Sequence, residues 1–404
     1  TFVDTDEEPS RLTEIPAKFF EFSAGPNSLV VPRSVEKIGD EAFSPSWSGS
    51  GSNLKTLTLN EGLEEIGYRA FCNDSGMGVK ITELVIPSTV KTIGDFAFSF
   101  AKQLTTITFA RNAQGESSLE KLGMGAFMST KISTITLPKT LAKGNTSPDW
   151  ENVEEINGLS DGLFSDCAKL SEVIFEDGCP LITEYGNQVF GGCTSYANVT
   201  FPVHLEKMGS WGEGGAIKTI VLPNFVDADG LKDLVPSLTG VTSFSLEAGN
   251  NHLYQDGENG AIYNAERNIL IYYPACNTQE SYTVLSTTVT IGEQAFFENQ
   301  YLKTINLNEG LVKISDYAFG VSQEARTTAI TGLEIPSTVT EIGKKAFFGA
   351  TNLETLTFAK DEKGNCALER IGNAAFRHCS SLIEVELPFG LQVLGENEGW
   401  SDDD

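Results

Sequence analysis

Apolar and polar positions alternate along this chain in a pattern that repeats. A six-residue stretch, apolar-x-x-apolar-x-apolar, occurs as LKTLTL from Leu54, LTTITF from Leu104, LKTINL from Leu302 and LETLTF from Leu353. Its last three positions read apolar, polar, apolar, which puts two side chains on one face of an extended segment and one on the other. Leu356 thereby falls on an inward slot and Thr357 on an outward one. A Pro or Asn turn follows, as in LVIPSTV from Leu84 and LEIPSTV from Leu333. Proline cannot donate to a ladder, so the strand stops there. Such hexads begin at Leu54, Ile81, Leu104, Ile132, Leu170, Tyr196, Ile217, Val241, Leu302, Ile330, Leu353 and Leu382, with a worn copy at Leu29 and Val31.

A second string recurs behind each hexad. IGDEAF at Ile38 returns as IGYRAF at Ile66, IGDFAF at Ile93, LGMGAF at Leu122, IGEQAF at Ile291, ISDYAF at Ile314, IGKKAF at Ile342 and IGNAAF at Ile371. The steps between neighbours are 28, 27 and 29 residues, then 23, 28 and 29. Apolar residues in this part fall about three apart, as at Val90, Ile93 and the Ala97–Phe98 pair, which predicts a short helical or 3-10 turn facing the strand. One such unit cannot bury its own apolar face, whereas stacked units share a core. The expected fold is a leucine-rich-repeat solenoid: one strand per turn in a long parallel sheet, short helical turns opposite, and the Phe of each AF pair in an internal column.

The pattern divides the chain into an N-terminal cap over 1–26, repeats over 27–248 that are irregular from about 139 to 240, an inserted β-hairpin over 249–280, and repeats with a C-terminal cap over 281–404. Irregular curvature is expected where the repeats degrade. The insertion is read from two β-rich runs, AIYN and ILIYYP, separated by the polar AERN. Its aromatics Tyr254, Tyr263, Tyr272 and Tyr273 either pack it onto the solenoid or present it to a ligand, and packing is the ordinary use of such rings.

Composition narrows the partners. Lys and Arg total 28 against 55 Asp and Glu, a net charge of -27, which repels nucleic acid and anionic lipid. No run of about 18 apolar residues occurs, and the first residues lack the basic and apolar segments of a signal peptide. Seven Cys form no C-x-x-C pair; Cys167, Cys193 and Cys379 each lie three residues after a repeat Phe and are read as small buried groups.

The string L-x-x-I-x-L-P-x-x-L-x-x-I-G-x-x-A-F-x-x-C, followed closely by ITELVIPSTVKTIGDFAFSFAKQ from Ile81, resembles the BspA-type leucine-rich repeat over roughly Leu29 to Leu394. The resemblance implies an exported bacterial protein, at the cell surface or secreted, that attaches to host matrix proteins, host cells or other bacteria. It implies no catalytic residues. Export rests on this resemblance alone.

Candidate chemistry is sparse. Three His, at 204, 252 and 378, have no partner at metal-ligand spacing, and no nucleophile elbow, P-loop or dinucleotide fingerprint is present. No cofactor is expected. The nearest thing to a metal loop is DADG, where Asp227 and Asp229 make a weak calcium candidate set against a plain solvated turn. The outward slots are rich in threonine: Thr56, Thr58, Thr106, Thr108, Thr134, Thr136, Thr219, Thr304, Thr355 and Thr357. Ordinary strand propensity accounts for threonine there; a hydroxyl-rich sheet face also suits a polypeptide or glycan ligand. Flanking acids, Glu83, Glu172, Glu334, Glu354, Glu384 and Glu386, favour basic partners. The leading expectation is a monomeric, non-enzymatic binding or adhesion protein; the alternatives are a structural surface-layer spacer and a carbohydrate-binding or glycan-processing accessory protein.

Overall fold

A computed structural model of the chain describes residues 11–20, 25–44, 52–72, 75–147, 152–209, 217–235, 238, 240–257, 260–322 and 327–395. The acidic segments at 1–10 and 396–404, which the capping expectation includes, lie outside the described residues. The chain forms two compact units, Thr1–Ile217 and Lys218–Asp404.

Each unit is a solenoid whose turns contribute two parallel ladders. In the N-terminal unit the first ladder pairs Ser28–Val30 with Thr56–Thr58, Glu83–Ile86 with Thr106–Phe109, and Thr134–Leu137 with Glu172–Phe175. Inward Leu84, Ile107 and Ile135 are buried while Thr106, Thr108, Thr134 and Thr136 are exposed, so the alternation read from the hexads is the alternation of the strand. The second ladder consists of two-residue strands at Glu14–Ile15, Lys37–Ile38, Glu65–Ile66, Thr92–Ile93 and Lys121–Leu122.

The expected helical turns are replaced by this second ladder and by a bend with left-handed backbone. In every IGxxAF string the fourth residue has positive φ: Glu41 at 55°, Arg69 at 48°, Phe96 at 57°, Gly125 at 54°, Gln294 at 56°, Tyr317 at 51°, Lys345 at 51° and Ala374 at 52°. A helix would satisfy these N–H groups within its own turn. The left-handed residue instead aims them at the next coil: Arg69 N donates to Asp95 O at 2.9 Å and Phe71 N to Ala97 O at 3.0 Å. These bonds offset the steric cost of αL in a non-glycine residue. The glycine of the string serves a different end. A Cβ on Gly94 would lie 2.7 Å from Gly67 C and 2.8 Å from Tyr68 N, so only a hydrogen lets successive coils approach this closely.

Inside the bend runs the aromatic column. Phe43, Phe71, Phe98, Phe127, Phe164 and Phe190 stack with successive centroids 5.2, 4.9, 6.0, 6.2 and 5.8 Å apart. Between Phe127 and Phe164 the turn is enlarged by an antiparallel pair, Gly144–Thr146 with Glu154–Ile156, yet the column continues past it. Irregularity in this region therefore appears as an inserted hairpin. Buried Cys167 and Cys193 donate to Phe127 O and Phe164 O at 3.2 and 3.1 Å, and half-buried Cys379 to Phe347 O at 3.2 Å. Each thiol bonds the carbonyl of the preceding column Phe.

In the C-terminal unit, Thr219–Leu222 pairs with Ser243–Leu246, and a helix, Ala228–Leu234, lies between them. Leu253–Gln255, Ile262–Asn264 and Ile269–Tyr272 are antiparallel, and the last of these pairs in parallel with Thr290–Ile291. The hairpin thus ends as a rung of the second ladder, which continues through Lys313–Ile314, Glu341–Ile342, Arg370–Ile371 and Val393–Leu394. Tyr273 then takes a column position, 5.5 Å from Phe296, ahead of Phe319, Phe347 and Phe376. The first ladder resumes with Ser281–Thr283, Thr304–Asn306, Gly332–Ile335 and Thr355–Phe358.

Two predicted hexads form no strand. At Tyr196 the segment is held by side chains: the Tyr196 ring packs at a tilt 4.8 Å from Phe190, Thr200 N donates to its hydroxyl at 3.3 Å, and Thr200 Oγ1 donates to Val173 O at 2.8 Å. At Leu382 the ladder has already ended at Thr355–Phe358, and Ile383 is 96% exposed.

A side-chain clip joins successive turns in both units. Glu61 accepts from Ser88 N at 3.0 Å and Ser88 Oγ at 2.9 Å, while Thr89 Oγ1 donates to Leu63 O at 2.8 Å. Glu309, Ser337, Thr338 and Leu311 repeat the arrangement at 3.2, 3.0 and 2.7 Å. NEGL of one turn thus receives PSTV of the next.

Candidate functional site

The outward face of the first ladder gathers the predicted threonines. In the N-terminal unit one outward row runs Ser28, Thr56, Glu83, Thr106, Thr134, Glu172, and the other Val30, Thr58, Val85, Thr108, Thr136, Ile174. All are exposed. The second row was incomplete as read from threonine alone: Val30, Val85 and Ile174 are 45%, 54% and 41% exposed, so methyls run between the hydroxyls. Their place in the hexad was the available signal, since each holds the fifth, outward slot.

In the C-terminal unit the rows are Ser281, Thr304, Gly332, Thr355 and Thr283, Asn306, Glu334, Thr357, in register. A depression of about 350 Å³ opens between Thr304 and Thr355, with Glu334 and Glu309 at its edge. Thr219 belongs to the other strand pair of this unit and is half-buried beside exposed Val221.

The acids of the two ladders differ in their pairing. On the second ladder Lys37 meets Glu65 at 2.9 Å and Lys313 meets Glu341 at 3.1 Å, while Lys121 reaches Glu155 of the inserted hairpin at 2.8 Å. Among the described residues, Glu83, Glu172 and Glu334 on the first ladder form no ion pair. These three carboxylates stand uncompensated on the outward face, while Glu280 at the entry to the ladder pairs with Lys303 at 2.8 Å.

The hairpin aromatics do not line a platform. Tyr263, Tyr272 and Tyr273 are fully buried. Tyr272 donates to Leu238 O at 3.0 Å, and Tyr263 exchanges a 2.8 Å bond with Tyr282, which donates to Asp256 at 2.9 Å. Burial holds the Tyr273 hydroxyl up at about 12. Half-buried Tyr254 is covered by the Arg267 guanidinium 3.9 Å from its centroid. Asp227 is the N-cap of the helix and accepts from Gly230 N at 3.0 Å, while Asp229 lies exposed in its first turn. The DADG loop is a helix start, and among the described residues no group of three or more His, Cys, Asp or Glu is placed to hold a metal ion.

Comparison with known proteins places this geometry. A family model for the BspA type leucine rich repeat region matches in six copies, over residues 13–147, 151–227 and 271–398. The helix and most of the hairpin fall in the gap between the last two spans. A leucine-rich repeat protein from Bacteroides ovatus is 20% identical, with 95% of this chain and 87% of that chain covered and a TM-score of 0.50. A leucine-rich repeat protein from Eubacterium ventriosum is 19% identical over 84% and 81%, with a TM-score of 0.37. The pneumococcal vaccine antigen PcpA is 19% identical over 96% and 80%, with a TM-score of 0.28. No curated protein matches the chain. The Bacteroides ovatus likeness supports the fold alone; the repeat model, spanning most of the length, carries the assignment, and the chain belongs to the BspA-type leucine-rich repeat family.

Proposed function

We propose that the chain is a non-enzymatic binding protein, exported to the surface of a bacterium or secreted from it, that attaches to a polypeptide of host or bacterial origin through the outward face of its first ladder. The observation that carries this reading is the unpaired acidity of that face, laid over rows of hydroxyls and methyls. Exposed Val30, Val85 and Ile174 provide apolar area between the hydroxyls, and unpaired carboxylates select a basic partner. Family membership supports surface association, and among the described residues no helix is long and apolar enough to cross a membrane.

Solid-phase binding to a panel of host matrix proteins, cell-surface proteins and glycans, near physiological salt and with calcium or chelator, tests it. Saturable binding to a polypeptide, indifferent to chelator, is the expected result. Binding confined to glycans would replace this reading with the carbohydrate one, and silence across the panel would favour a structural spacer.

A further inference from the structure

The hydroxyl row of the C-terminal unit has one gap. Gly332 stands in register between Thr304 and Thr355, where the neighbouring turns carry Ser or Thr. Its backbone does not need glycine, since its φ lies outside the left-handed range, and a Cβ there would meet chiefly the Thr355 hydroxyl, at 2.6 Å. The Thr355 hydroxyl leans toward this spot, and a depression of about 350 Å³ lies over it, lined by Thr304, Asn306, Gly332, Glu334, Thr355 and Thr357 among others. Glu334 lies two residues along the same strand on the same exposed face, roughly 6 to 7 Å away by the rise of a strand. Glu309 is held at the rim by Ser337, whose N and Oγ donate to its two oxygens at 3.2 and 3.0 Å. Asn306 donates one N–H of its amide to Thr283 Oγ1 at 3.1 Å. The charged groups lining the depression are Glu309 and Glu334, set among the hydroxyls of Thr304, Thr355 and Thr357.

We propose that the notch at Gly332 seats one lysine or arginine side chain of a polypeptide partner, its methylene stem lying between Thr304 and Thr355 and its charged head meeting Glu334. The stem of a basic side chain is apolar and its head is not, which suits a depression lined by threonines with a carboxylate in its wall. The outward rows here contain no aromatic ring on which a sugar could stack. This inference rests on the binding reading above and names the chemistry of its partner.

The test is fluorescence anisotropy of a labelled ten-residue lysine peptide with the whole chain at about 150 mM salt, where exposed charges beyond about 8 Å are screened. Binding is expected to saturate. Gly332→Ser, which fills the gap, and Glu334→Gln are each expected to weaken it about tenfold, the loss of one charge-assisted contact. Glu83→Gln removes the same charge from the outward face of the other unit and is expected to change it less than about twofold. Equal losses for Glu334→Gln and Glu83→Gln would mean diffuse attraction and overturn the notch, as would unchanged binding by Gly332→Ser with an unaltered urea midpoint. If Gly332→Ser fails to fold, the Glu334→Gln and Glu83→Gln comparison decides alone. A panel polypeptide that binds equally well to all variants would sink the notch and spare the binding face; silence of both peptide and panel would sink both.

Discussion

At the scale of single residues, position along the strand decides what a side chain contributes. Ile135 is 1% exposed and Thr136 beside it is exposed, with Ile174 as its cross-strand neighbour. Ile135→Asp is predicted to cost upward of about 3 kcal/mol in urea unfolding because it buries an unpaired charge, and Thr136→Asp less than about 0.5 kcal/mol. Equal effects would mean the register is wrong. Thr357→Asp is a poorer control, since Thr357 faces Glu334 across the ladder and a second carboxylate there repels the first. The cysteines make a second prediction. Burial pushes the Cys167 thiol up to about 11 and those of Cys72 and Cys179 to about 12. A raised thiol pKa means less thiolate, about one part in a thousand at pH 8 for the first of these. Iodoacetamide on the native chain at pH 8, mapped by mass spectrometry, is expected to label half-buried Cys276 and Cys366 and to spare Cys72, Cys167 and Cys179. Labelling of Cys167 at a matching rate would show that its packing is wrong.

At the scale of the repeat element, close approach of coils is the main constraint. Gly94→Ala puts a methyl against the backbone of the preceding turn and is predicted to cost about 3 kcal/mol. Gly115→Ala, at φ +81° with open space around it, pays only the left-handed penalty of about 1 kcal/mol. The same urea series checks both, and a Gly94 loss no larger than the Gly115 loss would contradict the stacking. The strand register and the Phe column were legible because alternation and the AF pair are strong, local signals. The second ladder was not, because a two-residue strand such as Thr92–Ile93 is too short to alternate and its threefold apolar spacing imitates a helix. Tyr273 could not be assigned to the column from its sequence context, since it stands in a run of buried aromatics where any ring fits. The gap at Gly332 was visible as a letter but acquired meaning only once Thr304 and Thr355 were seen on either side of it.

At the scale of the whole molecule, the net charge is -27, and among the described residues Lys37–Glu65 and Lys313–Glu341 pair along the second ladder while Glu83, Glu172 and Glu334 stand unpaired on the first. Association with a basic partner is therefore expected to slow by about tenfold between 50 and 500 mM salt, read as the on-rate in surface plasmon resonance. The candidate face was legible in the sequence as a set of threonines; its methyl rows and its uncompensated charge were not, because they depend on which neighbours the ladder supplies. The most direct test of that face compares two charge-matched double variants in saturable binding to the panel polypeptide. Glu83→Arg with Glu334→Arg reverses charge on the outward face of the first ladder in each unit, and Glu120→Arg with Glu369→Arg reverses it where the chain enters the second ladder of each, at residues that are also exposed. The first pair is expected to abolish binding and the second to leave it within about twofold; loss in both alike, or only in the second, would overturn the outward face as the binding surface.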